Sequence, residues 1–217
     1  MLTIKPTGGL GNMLRCIFSF YEYTKSINTE LNVIWIKTAA CPGYFLDNFE
    51  PIVGINFISN SADIEIDYWG SGHKDNIAPN YSCLKVLPHI KEIIKNRTKI
   101  LENNYISIHI RRTDHIGWAK HNNRFTTDED FVNFIDKQDI NKNIYIATDN
   151  KETYDIFKQK YSDRIKLDYH ETNIDNLRKT SLEDAIIDIY MCVYSEKFMG
   201  SGWSSFSVAI DRLRKLN

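Results

Sequence analysis

The sequence is poor in the residues that build disulfide frameworks and metal sites. Only four of its 217 residues are cysteines, no two of them form a CxxC pair, and the six histidines show no HExxH spacing. These absences argue against the common zinc motifs, so we expect no metal. The wide spread of the cysteines favours free thiols in a reducing compartment over disulfides. The cysteines are Cys16, Cys41, Cys83 and Cys192.

The sequence also lacks a long apolar run and an excess of either charge. No stretch approaches the roughly 20 apolar residues of a membrane span, and the first residues lack the apolar core of a signal peptide. Lys and Arg number 27 and Asp and Glu number 28, which gives a net charge of −1. We therefore expect a cytoplasmic protein without a nucleic-acid or membrane partner, and the composition leaves the oligomeric state open.

Short apolar runs alternate with helical patterns along the whole chain, which is typical of an α/β fold with parallel strands. The pattern predicts strands at 2–5, 31–36, 55–58, 64–68, 105–110, 143–147, 165–167 and 196–199. It predicts helices at 12–27, 84–101 with an interruption or kink at Pro88, 127–137, 151–161, 181–194 and 205–216, besides a helical turn at 41–49 and a polar loop at 111–126. A boundary near residue 100 divides the chain into halves 1–100 and 101–217.

A glycine-rich loop, GGLGN at residues 8–12, stands between the first predicted strand and the first helix. Glycines let the backbone approach a ligand closely, and the helix that follows offers free N–H groups to an anion. The loop is not a Walker motif, because no GK[ST] follows it. It also departs from the dinucleotide fingerprint, since Leu14 stands at the third glycine and Ile36-Lys37 end the next strand without an acid. An anion site and a plain tight turn are both open, and a dehydrogenase is disfavoured.

Two adjacent arginines, Arg111 and Arg112, follow the apolar stretch 105–110. Open α/β sheets bind ligands at the carboxyl ends of their strands, and a guanidinium offers a planar fork of donors to phosphate oxygens. The chain has 18 lysines but only nine arginines, so two adjacent arginines do not simply reflect the cationic residue that the chain uses most. Adjacent residues of an extended chain point to opposite sides, so both reach one group only if the chain turns. We favour an anion site, with an Arg–Asp114 structural pair as the alternative.

Three further stretches carry polar residues where a ligand could bind. Residues 200–207 (GSGWSSFS) open the last helix with hydroxyls that suit a phosphate, or else with an ordinary serine N-cap. Residues 147–150 (ATDN) end a strand on a hydroxyl, an acid and an amide, which also fits a simple turn. Asp188 stands among apolar helix residues, so it is either an exposed position or a buried acid that needs a partner.

Taken in order, GGLGN, HIRRTD, YIATDN, LEDAIIDIY and FMGSGWSSFS resemble the motifs of the GDP-fucose-dependent fucosyltransferases. The nearest branch is that of the α1,6-fucosyltransferases and nodulation fucosyltransferases, and the likeness is strongest from 105 to 210. It implies a GT-B architecture, in which two Rossmann-like halves face a cleft. The short N-terminal half would be minimal and on the acceptor side, and the C-terminal half would hold most of the donor. The resemblance also implies an inverting, metal-independent transfer of fucose from GDP-fucose to a glycan.

The resemblance assigns roles to individual residues. Arg111 and Arg112 would hold the donor diphosphate, and Arg111 would be the more essential of the two. His109 and Asp188 would lie beside the guanine. The family's strand-end acid corresponds to Asp149, with a structural or donor-side role. The remaining candidates are Ser204 and Ser205 at a phosphate, and Gly9, Gly11 and Asn12 along the cleft from the opposite half.

The catalytic base is the point at which this chain departs from its relatives. The α1,6-type pattern has a glutamate where this chain has Ala119. Asp114, His115 and His121 are the nearby substitutes, with Asp114 and His115 preferred. This departure leaves open a nucleotide-sugar-binding module that has lost catalysis. Guanine and diphosphate contacts do not identify the sugar, so another GDP-deoxyhexose donor is a further alternative.

Overall fold

The computed structural model describes residues 1–61, 66–68, 77–114, 116–170 and 180–216. The strands are β1 (Leu2–Pro6), β2 (Leu31–Val33), β3 (Ile55–Phe57), β4 (Ile66–Tyr68), β5 (Tyr105–Ile110), β6 (Asn143–Thr148) and β7 (Phe198–Gly200). The α-helices are α1 (Leu10–Ser26), α2 (Pro88–Ile100), α3 (Ile116–His121), α4 (Asp128–Asp136), α5 (Lys151–Tyr161), α6 (Leu182–Tyr194) and α7 (Ser205–Arg214).

The strands form two separate parallel sheets. The first has the order β3-β2-β1-β4, and the second has the order β6-β5-β7. Strand β5 is central in the second sheet, and all six of its residues are buried, which explains why most of them are apolar. Parallel strands need crossover connections, and the helices between the strands supply them.

Two hydrophobic clusters hold these layers together. One lies between β5, β6, α4 and α5 and includes Ile108, Phe131 and Phe157. The other includes residues of the first sheet, α1, α2, α6 and α7, and in it α1 packs on β1 and β2. The last helix, α7, contacts α1 directly. This arrangement brings the N-terminal end of α7 to the N-terminal end of α1.

Local sequence signals explain where several helices begin. Thr127 and Ser181 each form a capping box, with Asp130 and Asp184 respectively, at the starts of α4 and α6. Asn150 caps α5 through the N–H of Thr153. These three helices also carry an acid in their first turn, where it stabilises the positive end of the helix dipole.

Two predictions of secondary structure are wrong, and one helix is shorter than predicted. The helix predicted at 84–101, with an interruption or kink at Pro88, begins at Pro88, because the first helical position needs no N–H and proline has none. The predicted polar loop at 111–126 contains helix α3. Residues 165–167 form no strand, and the N–H of Ile165 bonds to Ser162 in a turn instead of to a sheet. Smaller differences are a single 3₁₀ turn at Phe45–Asp47, an early end of β2 at Val33, and a start of β4 at Ile66, with 62–65 outside the described residues.

All four cysteines are free thiols. In the part of the chain that the structure describes, no helix has the length and apolar character needed to cross a membrane. The boundary near residue 100 and the cytoplasmic location stay predictions.

Candidate functional site

The register of two neighbouring strands places an arginine beside an acid at the edge of the second sheet. Ile110 at the end of β5 pairs with Thr148 at the end of β6. The next residues along the two strands, Arg111 and Asp149, therefore leave the sheet side by side. The Arg111 guanidinium lies 2.5 Å from Oδ2 of Asp149 and also forms an ion pair with Asp114. The sheet geometry thus creates a fixed cation at the carboxyl end of its central strand.

Asp149 is a buried carboxylate that orders the whole turn after β5. Its Oδ1 accepts a hydrogen bond from the backbone N–H of Arg112 at 2.9 Å, and its Oδ2 accepts one from the Thr113 hydroxyl at 2.5 Å. Burial opposes ionisation, but the Arg111 guanidinium and these hydrogen bonds outweigh it and hold the pKa of Asp149 below its ordinary value. Asp149 is therefore ionised at neutral pH and holds Arg111 in place.

The two adjacent arginines point in different directions. Arg111 lines a large cleft, whereas the Arg112 guanidinium forms an ion pair with Asp128 at the start of α4. The Arg112 side chain is buried against the ring of Phe125, at 5.1 Å from the ring centroid. The structure therefore brings Arg111 to the cleft and keeps Arg112 behind it, where it fixes the turn to α4.

The loop after β7 is attached to the same strand end. His109 in β5 pairs with Gly200 in β7, so Ser201 follows beside Arg111. The Ser201 hydroxyl accepts a hydrogen bond from the N–H of Arg111 at 2.9 Å, and the N–H of Ser201 donates to the carbonyl of His109 at 2.9 Å. This loop then leads into α7, whose N-cap is Ser204.

The N-terminal ends of α1 and α7 meet at the cleft. A methyl group at Gly11 would lie 2.6 Å from the backbone carbon of Ser205, so only glycine permits this approach. Gly9 begins α1 without a side-chain cap, and neither α1 nor α7 has an acid in its first turn. This differs from α4, α5 and α6, whose first-turn acids offset the dipole. Two positive helix ends beside Arg111 make this part of the cleft suited to an anion.

We expect the substitution Gly11→Ala to destabilise the protein by about 1–3 kcal/mol, because the added methyl group would push against backbone atoms of Ser205. Chemical denaturation measures this change. Gly117→Ala is the matched control, since a methyl group there meets no atom within 4 Å and α3 gains a better helix former. Equal stabilities of the two variants would contradict the close approach of α1 and α7.

The far end of the cleft is aromatic and acidic. The ring of His109 packs against Phe206 with centroids 4.6 Å apart, and its Nδ1 lies 2.8 Å from the hydroxyl of Ser207. Asp188 of α6 accepts a hydrogen bond from the Tyr145 hydroxyl of β6 at 2.5 Å. Burial raises the pKa of Asp188 to about 7, although the Tyr145 hydrogen bond and Arg97 oppose the rise. The sequence left open whether Asp188 is exposed or is buried with a partner. In the structure it is partly buried, and its partner is Tyr145.

The cleft has a volume of about 830 Å³, which is large enough for a nucleotide sugar. Ten of the residues singled out in the sequence line it: Gly9, Gly11, Asn12, His109, Arg111, Asp114, Asp149, Asp188, Ser204 and Ser205. A second cavity of about 180 Å³ shares Thr148, Thr180 and Asp188 with this cleft. Residues from the N-terminal part of the chain and from its C-terminal part therefore converge on one site.

Two candidate residues do not add to this description. Arg112 lies behind the cleft, as described above, and His115 lies outside the described residues. Among the described residues, no group of three or more His, Cys, Asp or Glu side chains is arranged to hold a metal ion.

The nearby positions considered for a base are placed differently from one another. Asp114 lines the cleft beside Arg111, whereas His121 at the end of α3 is not among its lining residues. Ala119, which the resemblance aligns with the α1,6-type glutamate, is only 1% exposed and is not among the residues that line the cleft.

Sequence reasoning missed several lining residues, among them Arg15, Trp118, Trp203 and Phe206. Arg15 follows Asn12 by three residues in α1, and its guanidinium donates to the Asn12 side chain at 2.8 Å. The spacing of one helical turn was the available signal. The two tryptophans stand in polar stretches, where a large aromatic residue is unexpected.

Comparisons with known proteins agree with this geometry. The solved structure of NodZ α-1,6-fucosyltransferase soaked with GDP-fucose matches with a TM-score of 0.68 and 13% identity, over 98% of this chain and 91% of that chain. Fucosyltransferase NodZ from Bradyrhizobium matches with a TM-score of 0.67 and 12% identity, over 96% and 91%. At such identities the likeness establishes the fold, and it confirms the GT-B-like architecture; the minimal N-terminal half stays a prediction. No curated protein sequence matches the chain.

The family comparison goes beyond the fold. The sequence model of the GDP-fucose protein O-fucosyltransferases matches residues 17–217, which include the paired arginines, the strand-end acid and the start of α7. A match over most of the chain, together with the shared architecture, shows its membership. The protein belongs to the GDP-fucose O-fucosyltransferase family and is a glycosyltransferase of the fucosyltransferase type.

Proposed function

We propose that the protein transfers fucose from GDP-fucose to a hydroxyl group of a glycan acceptor, with inversion and without a metal ion. The observation that carries the proposal is the convergence of Arg111 and two helix N-termini on one side of the cleft. A diphosphate suits this positive region, and a guanine suits the end that holds His109 and Asp188. NodZ α-1,6-fucosyltransferase was crystallised with GDP and was soaked with GDP-fucose, which supports the same donor here.

The chemistry requires that the bond between fucose C1 and the β-phosphate oxygen breaks while the acceptor oxygen bonds to C1 from the opposite face. The electron pair leaves with GDP, and a base takes the acceptor's proton. Negative charge grows on the diphosphate in the transition state, so a preorganised cation there lowers the barrier more than it stabilises the bound substrate. Arg111 would provide that cation, with Asp149 holding its guanidinium in position.

Asp114 is the proposed base within the described residues. It lines the cleft, and its carboxylate is paired with the same guanidinium that would bind the diphosphate. Binding of the diphosphate would compete for Arg111 and release the Asp114 carboxylate toward the acceptor hydroxyl. His115 stays the second candidate for this role.

A ligand panel tests the proposed function. Thermal shift is measured with GDP, GDP-fucose, GDP-mannose, UDP-sugars and NAD, and GDP release is then measured from each donor that binds. We expect stabilisation by GDP and GDP-fucose, together with GDP release that survives EDTA. Binding without hydrolysis or transfer would favour a nucleotide-sugar-binding module. Stabilisation by NAD alone would overturn the proposal, and preference for a different GDP-deoxyhexose would change only the donor sugar.

A further inference from the structure

Two large aromatic side chains that line the cleft are more than half exposed to solvent. Trp118 of α3 is 67% exposed and Trp203 is 55% exposed, and both line the cleft. Large exposed apolar surfaces are uncommon in folded proteins and mark places where ligands or partners bind. The two tryptophans share the cleft with Asp114, the proposed base, whereas His109 and Asp188 are the residues proposed for the guanine, which points to a ligand other than the guanine.

The backbone of Trp203 adds a second observation. Its φ angle is +61°, a left-handed conformation that bulky residues rarely adopt and that costs about 1–3 kcal/mol. A tryptophan that is both strained and half exposed does not contribute stability at this position. Such outliers cluster at binding sites, where the surrounding structure imposes the conformation.

The surrounding structure does hold this loop firmly. The N–H of Gly202 donates to the hydroxyl of Thr126 at 2.8 Å, and a methyl group at Gly202 would lie 2.1 Å from the carbonyl oxygen of Arg124. The segment 124–126 follows α3, which carries Trp118, and the N–H of Arg124 donates to the carbonyl of Ala119 at 2.8 Å. The loop of Trp203 is therefore anchored on the segment that follows the helix of Trp118, and Ser201 ties this loop to Arg111.

We propose that Trp118 and Trp203 form a stacking platform for the acceptor, and that the acceptor is a neutral carbohydrate. The flat indole rings match the apolar C–H faces of pyranose rings, which can stack on them while their hydroxyls stay in water. The platform adjoins Asp114, the proposed base, so a sugar bound there presents its hydroxyls toward the reacting carbon. This inference rests on the proposed fucosyltransferase function and specifies its acceptor.

The platform belongs to the C-terminal half of the chain. The resemblance to known fucosyltransferases had placed the acceptor side in residues 1–100. On this proposal the acceptor lies between the two halves and is held mainly by residues after 110, which suits a chain with a minimal N-terminal half.

The experiment measures acceptor binding and donor binding separately. Wild-type protein saturated with GDP is titrated calorimetrically with neutral tetrasaccharides of glucose, mannose, galactose and N-acetylglucosamine, and with a serine- and threonine-containing peptide. The variants are Trp118→Ala, Trp203→Asn and the ring-retaining Trp118→Phe and Trp203→Phe. Asparagine is chosen at 203 because it tolerates the left-handed conformation. Ile140→Ala is the control, since Ile140 is 76% exposed and does not line the cleft.

We expect at least one tetrasaccharide to bind and to accept fucose. Trp118→Ala and Trp203→Asn should each weaken its binding by about tenfold or more, while the phenylalanine variants and Ile140→Ala stay within about threefold. The dissociation constant of GDP-fucose should change by less than about twofold in both tryptophan variants. The change in intrinsic tryptophan fluorescence that the sugar causes in the wild-type protein should be smaller in Trp118→Ala and Trp203→Asn.

Three results would overturn the platform. The first is unchanged tetrasaccharide affinity in both variants. The second is a tenfold weaker affinity for GDP or GDP-fucose, which would assign the tryptophans to the donor. The third is fucose transfer to the peptide and to none of the sugars. Failure of the proposed function is a separate result: wild-type protein would then neither bind GDP-fucose nor release GDP from it, whatever the sugars do.

Discussion

Replacing Arg111 with alanine is expected to lower the turnover of GDP-fucose by 10²-fold or more, which corresponds to about 2.7 kcal/mol of transition-state stabilisation. Arg111 is a cation that Asp149 holds in the cleft, and charge grows on the leaving diphosphate as the sugar bond breaks. Because the loss acts on the transition state, kcat should fall at saturating donor as well as kcat/KM. Steady-state kinetics of GDP release measures both quantities.

Stability has to be separated from catalysis in this variant. Removal of Arg111 leaves the buried Asp149 without its charge partner, which by itself destabilises the fold. The double variant Arg111→Ala with Asp149→Asn removes that unpaired charge and should recover stability without recovering turnover. Arg111→Lys keeps the charge but loses the planar fork, so an intermediate loss of turnover is expected.

Arg112 provides the comparison within the same motif. Its guanidinium pairs with Asp128 behind the cleft, so Arg112→Lys should affect thermal stability more than kcat. If Arg111→Ala and Arg112→Lys lowered kcat equally, the different placement of the two arginines would have no functional meaning. Turnover by Arg111→Ala at the wild-type rate would contradict the role of Arg111 itself.

The substitution Asp188→Asn is expected to stabilise the protein at neutral pH by a few kcal/mol. Burial raises the pKa of Asp188 to about 7, while an aspartate in the unfolded chain ionises near pH 4. Between about pH 4 and pH 7, Asp188 is protonated in the native state but ionised in the unfolded state. The free energy of unfolding of the wild-type protein therefore falls as the pH rises through this range. Above about pH 7, Asp188 is ionised in both the native and the unfolded state, and the destabilisation that it causes no longer changes with pH.

Urea denaturation from pH 4 to pH 8 measures this effect. The asparagine variant has no such proton and still offers an oxygen to the Tyr145 hydroxyl, so its advantage over wild type should grow from pH 4 to pH 7 and then level off. Asp163→Asn, an exposed aspartate in the turn after α5, controls for the loss of one negative charge. A stability difference that stayed constant over this pH range would contradict the raised pKa.

The same variant should bind GDP more weakly even though it is more stable. On the proposed function, the Asp188 carboxylate accepts hydrogen bonds from guanine, and loss of a charged acceptor costs about 10- to 100-fold in affinity. Comparison of GDP with inosine diphosphate, which lacks the exocyclic amine, isolates that contact. Wild-type protein should prefer GDP, and Asp188→Asn should lose most of the preference. Equal preference in both proteins would remove Asp188 from guanine recognition.

The elements that the sequence predicts best are those with strong local patterns. Strand β5 occupies the predicted 105–110, because six consecutive residues are buried on both faces of a parallel sheet. Helix α5 also has its predicted bounds, since Asn150 caps it and a turn follows Tyr161. The short helix α3 was not predicted, because it has only six residues, one of them a glycine, which is too few to show a helical period.

Several features of the site depend on residues far apart in the chain. Gly11 and Ser205 meet although 194 positions separate them, and Tyr145 reaches Asp188 across 43 positions. The two arginines look equivalent in the sequence, yet the turn after β5 sends one to the cleft and the other to α4. No local periodicity encodes such contacts, because they arise from strand register and helix packing.

The sequence by itself determined the α/β class, the carboxyl-end position of the arginines and the family, because buried strands, helix caps and ordered motifs are local properties of the chain. Only the tertiary structure decided that Arg111 and not Arg112 faces the cleft, that two uncompensated helix ends meet there, and that two tryptophans line its rim. The physical reason is that the register of β5 with β6 and β7, and the contact of α1 with α7, set these positions.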